Sequence, residues 1–310
     1  MLYPEIRVKD KKDIHVFLRT QPYSADTMRN YRLHLEKLHR WLLHQKIEFK
    51  DMIGDDFLGY LEEKTTWGAH YKRQALSAAK AYAREKYGNE HSIMSLRVKR
   101  PPTKMQRTLT VEEISQVLDS IDLDKILGIR NYATLCLMVD TGLRATEICR
   151  LEIQDVDLDK CTLQVQQKGG GYRMAAFTAY TCDFLLDWLT MRESYAKIGV
   201  KAVFVAVIGD SAGNPMTRSG LKSNFRHLAR RAGVKHFSPH ALRRTMATIM
   251  VGVNKAPNRI AQISGGWKDG KQVETYTKAL GIESTRQFLA MHAVKTSLDN
   301  TPRDGEHEGL

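Results

Sequence analysis

His240 and Arg243 stand three residues apart in the stretch SPHALRRTMATIM, a spacing that sets an imidazole and a guanidinium on one face of a helix. Two donors on one turn suit a small anion such as phosphate. Further along, a Gly265-Gly266 break precedes Trp267, and Tyr276 follows nine positions after the tryptophan in a short polar segment compatible with a helix. A phenol brought beside cationic donors is a candidate nucleophile. Alone, each has a plainer reading: a helix-capping histidine, a core tryptophan, a half-packed tyrosine. It is their order that carries chemistry.

Two more positions extend the set. In TGLRATE, residues 141–147, a glycine allows the chain to break tightly before Arg144, and Glu147 three residues later can orient the guanidinium or cap a helix. Lys168 stands directly before Gly169-Gly170-Gly171 at a candidate hairpin tip. Together these segments resemble the tyrosine site-specific recombinases, the phage-integrase and Xer-like family. Its C-terminal signature is a His-x-x-Arg helix, then Gly-His or Gly-Trp, then a tyrosine nine residues beyond.

The resemblance implies a catalytic set of Arg144, Lys168, His240, Arg243, Trp267 and Tyr276, with Glu147 as a structural support. Tyr276 would attack a DNA phosphodiester, form a 3′-phosphotyrosyl bond and expel a 5′-hydroxyl that Lys168 protonates. Two arginines suit the charge that grows on the non-bridging oxygens, since each guanidinium donates a planar pair of hydrogen bonds. His240 is either a third donor or the acceptor of the phenolic proton. Trp267 replaces the commoner histidine, with one N–H to donate and a ring to pack near the tyrosine. The bond energy stays in the protein–DNA link, so the reading calls for no cofactor and no metal. It also implies double-stranded DNA with a specific site as partner, and a homo-tetramer on two sites built from a chain that is a monomer when unassembled. Integration, excision and resolution of DNA all remain open. A type IB topoisomerase shares the chemistry, and a non-catalytic DNA-binding protein could share the fold.

The elements that must position these residues are mainly helical. KDIHVFLRT, SADTMRNYRLHLEKLHRWLLHQ, DDFLGYLEEK and WGAHYKRQALSAAKAYAREKY read as four helices, with Leu35, Leu38, Trp41 and Leu42 forming an apolar stripe at three and four and Ser24 as an N-cap. By resemblance this segment, residues 1–96, is the core-binding domain that contacts DNA. Its alanine-rich last helix carries Lys72 and Arg73, with Lys80 and Arg84, as backbone contacts. Residues 97–107 lose periodicity at Pro101-Pro102 and hold Arg97, Lys99 and Arg100 without an acid, which reads as a basic linker. Thr110 and Glu113 fit a capping box that opens the catalytic domain, residues 108–298. The segments IQDVDL, CTLQVQQ and YRMAAF alternate as short strands of a small antiparallel sheet, with KGGG as a turn. The expected fold is therefore mainly α with a small antiparallel β-sheet, in the two-domain tyrosine-recombinase architecture. Helices resume at CDFLLDWLTMRE and at SGLKSNFRHLARRAG, whose Arg226 and Arg230 are further DNA contacts. VFVAVIGD reads as a short strand or a loop. A terminal helix after Tyr276 docks into a neighbouring subunit or packs back on its own domain, and residues 299–310 read as a disordered tail.

Composition narrows the classes that fit. The 310 residues carry 48 Lys and Arg against 35 Asp and Glu, a net charge of +13 that favours a polyanionic partner. No apolar run is long enough for a spanning helix and the N-terminus lacks the apolar core of a signal peptide, so a cytoplasmic protein without membrane contact is expected. Four cysteines without a C-x-x-C pair suit reduced thiols, and the eleven histidines form no ligand series. Gly265 to Lys271 matches the spacing of a phosphate-binding loop, but Gln272 stands where Ser or Thr is needed and helix precedes it where a strand should, which rejects an ATPase.

Overall fold

The computed structural model describes residues 3–99, 106–167 and 170–277, apart from the side chain of Tyr276. The chain divides into two compact units, residues 1–104 and 105–310. Among the described residues it is mainly helical with a single three-stranded sheet.

In the first unit the apolar stripe of α2 (Ala25–Gln45) buries Leu35, Leu38, Trp41 and Leu42. It packs against Ile14, Phe17 and Leu18 of α1 (Val8–Thr20) and against α4 (Ala69–Tyr87). Ala78, Ala79 and Ala83 of α4 are fully buried, small side chains that allow close helix approach. Helix α3 (Gly54–Glu62) adds Phe57 and Tyr60 to the same core. Ser24 accepts a bond from the Thr27 amide and caps α2. Helix α1 begins earlier than its sequence suggests, because Arg7 pairs with Asp10 at 2.7 Å across a first turn with little apolar character.

The second unit opens with the capping box of α5 (Val111–Asp119): Glu113 N donates to Thr110 Oγ1 at 3.2 Å and Thr110 N to Glu113 Oε2 at 3.0 Å. Helix α6 (Ile126–Thr141) is buried nearly all round, as a core helix is, and packs on α8 (Ala179–Arg192) and α10 (Pro239–Thr248). Gly142 ends α6 at φ +59°, the left-handed conformation that a glycine adopts without strain, and turns the chain into the four-residue α7 (Ala145–Ile148). Strands β1 (Val156–Asp157), β2 (Thr162–Gln166) and β3 (Tyr172–Ala176) form an antiparallel sheet in that order, burying Leu163, Val165 and Ala175. The last pair of the hairpin is Gln166 with Tyr172. The segment at residues 203–210 is a loop with one isolated bridge, Val205 to Pro215, anchored by Trp188 Nε1 donating to Val203 O.

Helix α9 (Arg218–Arg231) packs beside α5, α7 and α10. After α10 the chain makes a π-helical turn, Ile249–Val253, then α11 (Asn258–Gly265) and α12 (Gly270–Thr277). Met246, Ala247, Ala261, Trp267 and Val273 form a small core that fastens α11 and α12 to α10. Because α11 leads into Gly265, the loop before Gly270 joins two helices, unlike the strand–loop–helix of a nucleotide-binding loop. No helix of the described residues is long and apolar enough to cross a membrane. The four cysteines are free thiols. The expected terminal helix and tail lie outside the described residues.

Candidate active site

Ser238 caps α10 by accepting from the Ala241 amide, Pro239 occupies the first turn, and His240 follows at the positive end of the helix. One turn on, Arg243 is 1% exposed. Its Nη1 donates to the Gly142 carbonyl at 2.5 Å, and its guanidinium lies 4.4 Å from the centre of the Trp267 ring. The first contact reaches the turn two residues before Arg144, and the second reaches the corner after α11. Three distant segments of sequence therefore meet on one guanidinium.

Arg144 is the N-cap of α7, with its side chain 36% exposed. Glu147 does two things at once: Oε1 accepts from Arg144 Nη1 at 2.5 Å, and Oε2 accepts from the Arg144 amide at 2.8 Å. The carboxylate thus caps α7 and fixes the arginine. Arg144 stays partly exposed while Arg243 is buried. His240 has a face open to solvent, yet its pKa lies below the ordinary histidine range. Desolvation of its packed side contributes most, then the positive charges of Arg244, Arg243 and Arg144. Those charges favour its neutral form.

Arg244 has a different task. Its Nε and Nη2 donate to the Arg107 carbonyl at 3.0 and 2.8 Å, while Thr245 Oγ1 accepts from Leu109 N at 2.8 Å. Arg107 in turn pairs with Glu113 at 2.7 Å. The chain entering this unit is strapped to the helix that carries His240 and Arg243.

Trp267 is 4% exposed and follows Gly266, whose φ of +62° turns the chain at the end of α11. A Cβ on Gly265 would lie 2.2 Å from the indole, so the ring seats directly on that glycine. The backbone of Tyr276 lies in α12, held to α10 through Val273. Lys168 lies outside the described residues. Its hairpin is described up to Gln167, whose amide donates to Gly171 O at 3.0 Å, and again from Gly170.

One residue of this centre escaped the sequence reading. Arg173 enters from β3 with its side chain 8% exposed; Nη1 donates to Ser264 O at 2.6 Å and Nη2 sits 3.9 Å from Glu147 Oε2. Strand alternation was the available signal: Arg173 shares the inward face with buried Ala175.

The remaining candidates lie elsewhere. Arg226 and Arg230 are exposed, four residues apart on α9. Lys72 and Arg73 are half-buried on α4 of the first unit. Arg97 and Lys99 are exposed there, and Arg97 Nη1 folds back onto the carbonyls of Met94, Ser95 and Leu96. Arg100 lies outside the described residues. Lys80 is part-buried on α4, donating to Met94 O at 2.7 Å and Leu96 O at 2.6 Å.

The phage integrase family model matches residues 107–281. The chain is similar to the tyrosine recombinase XerD of Staphylococcus haemolyticus, 28% identical over 281 residues that span 87% of this chain and 93% of that protein. Its fold is similar to that of the XerH site-specific recombinase bound to difH substrate in a pre-cleavage complex, at a TM-score of 0.69 and 19% identity over 91% of this chain and 99% of that one. It is also similar to a chain of a lambda integrase tetramer bound to a Holliday junction, at a TM-score of 0.65 and 17% identity over 89% of this chain and 79% of that one. With a family match across more than half of its length, the chain belongs to the phage integrase family and is a Xer-like tyrosine recombinase.

Proposed function

We propose that this recombinase binds a specific site in duplex DNA and cuts and rejoins its strands through a 3′-phosphotyrosyl intermediate, in integration, excision or resolution of DNA. The observation that carries the reading is the bond from buried Arg243 to Gly142 O at 2.5 Å, because it brings the His240 helix to the turn that presents Arg144. Arg144 and Arg243 bind the non-bridging oxygens of the scissile phosphate, where charge grows as phosphorus becomes five-coordinate. Tyr276 Oη attacks phosphorus, the new P–Oη bond forms as the P–O5′ bond breaks, and the phenolic proton departs. Lys168 donates a proton to the leaving 5′ oxygen. A 5′-hydroxyl attacking the phosphotyrosyl bond reverses these steps and rejoins the strand.

His240, held neutral by its surroundings, donates to the phosphate or takes the phenolic proton. Trp267 backs the Arg243 guanidinium and shields the pocket from water. Arg226 and Arg230 on α9, with Lys72, Arg73, Arg97, Lys99 and Arg100 of the other unit and linker, supply phosphate contacts that position the duplex. A homo-tetramer on two sites in the cytoplasm fits this chemistry, since exchanging strands needs four cleavages, and the lambda integrase tetramer on a Holliday junction supports the analogy.

Incubating the full chain with a nicked duplex that traps the cleaved strand tests the reading, once a site has been selected from random DNA. A covalent protein–DNA complex is expected, together with joined products from paired sites, and Tyr276→Phe is expected to give neither. A complex that persists in Tyr276→Phe would overturn the assignment.

A further inference from the structure

Arg173 is a buried cation beside the catalytic set, yet no step of the chemistry above uses it. It comes from β3, the strand that returns from the Lys168 hairpin, opposite Val165 in the register. Its guanidinium is held between two segments: the end of α11, through the Ser264 carbonyl at 2.6 Å and the backbone of Gly266, and α7, through the Glu147 carboxylate at 3.9 Å. A Cβ on Gly266 would lie 2.4 Å from Arg173 Cδ and 2.6 Å from Nε, so a side chain there would have to displace this arginine. Its Nε is buried without a hydrogen-bond partner. Burying an arginine with an unfilled donor is costly unless the charge answers another buried charge.

That other charge is Glu147, whose side chain is 4% exposed. Bound to Arg144 alone, the carboxylate would make a near-neutral pair, and Arg144 would meet a phosphate with its charge already cancelled. With Arg173 against Oε2 the three groups sum to one positive charge, and the exposed member of the three is Arg144. We propose that Arg173 is a positioning residue: it offsets Glu147 so that Arg144 faces the scissile phosphate as a cation, and it locks the hairpin strand to the Gly266–Trp267 corner. This rests on the DNA-cleavage reading of the site.

The test uses the full chain on nicked duplexes that carry either the natural phosphodiester or a neutral methylphosphonate at the scissile position. Arg173→Met is expected to slow covalent-complex formation about 30- to 100-fold on the phosphodiester but less than about fivefold on the methylphosphonate. Adding Glu147→Gln to Arg173→Met is expected to recover about tenfold of the loss, since the unbalanced carboxylate is gone. Equal losses on the two substrates, or a further loss in the double variant, would mark a purely structural arginine and overturn the proposal. Arg173→Lys covers the case in which the methionine variant does not fold: it keeps the charge and is expected to hold the wild-type ratio between substrates, and a shifted ratio counts against the proposal. Wild-type protein that forms no covalent complex on either duplex would remove the cleavage reading itself, and this inference with it.

Discussion

Arg243 is fixed before any DNA arrives: it is 1% exposed, bonded to a backbone carbonyl and stacked on an indole. A cation held this way needs no reorganisation when charge develops on phosphate. Arg243→Lys keeps the charge and loses both the planar fork and the stack. Single-turnover cleavage of a nicked duplex is therefore expected to fall about 100- to 1000-fold; an unchanged rate would separate Arg243 from the chemistry. Gly266 is the other residue with no tolerance, because φ is +62° and the space a Cβ needs is filled by Arg173. Gly266→Ala is expected to cost about 1–3 kcal/mol in denaturant unfolding, and a neutral result would show that Arg173 can move aside. Spacing makes part of this centre legible in sequence: the three-residue step from His240 to Arg243 and the glycine before Arg144 are local rules. Arg173 carries no such signature, since a lone arginine in a five-residue strand says nothing about the carboxylate it will meet from another segment.

At the scale of elements, caps and close approaches decide where helices begin and how near they pack. The Thr110–Glu113 capping box satisfies two amides of α5, and Glu113 also holds Arg107. Thr110→Ala is expected to destabilise the chain by about 1 kcal/mol in thermal or denaturant unfolding, with no change as the contrary result. Gly128 shows the other constraint: a Cβ there would lie 1.8 Å from the Asp122 carbonyl oxygen, a backbone atom. Helices such as α2 and α9 are legible from periodicity because their amphipathic faces repeat over several turns, and Ser24 marks where α2 starts. Two features are not. The early start of α1 depends on the Arg7–Asp10 pair, and the π-helical turn at Ile249–Val253 carries no apolar period of its own. The small sheet is legible from alternation, with its glycine hairpin held at φ +90° and +81° by Gly170 and Gly171.

Across the whole molecule, the net charge of +13 suits DNA but also makes stability sensitive to acid wherever a histidine is buried neutral. His34 of the first unit is 2% exposed, with its ring against Trp67 and Tyr71. Desolvation first, and then the charge of Lys37, lower its pKa to about 4, partly opposed by a hydrogen bond to Gln74. Between the ordinary histidine value and this one the unfolded chain binds more protons than the folded chain. The contribution is thus fully present above the unfolded pKa and is lost as pH falls toward 4. The difference in unfolding free energy between pH 7 and pH 4 is expected to shrink by on the order of 3 kcal/mol in His34→Gln. Parallel acid slopes in the two proteins would contradict this.

The central claim is that a phenol and two arginines act on one phosphorus. Trimming the trapped complex with nucleases and mapping the residual nucleotide by peptide mass spectrometry tests it most directly. A single nucleotide adduct on the peptide containing Tyr276 is expected. An adduct on another residue, or none on any peptide, would contradict it.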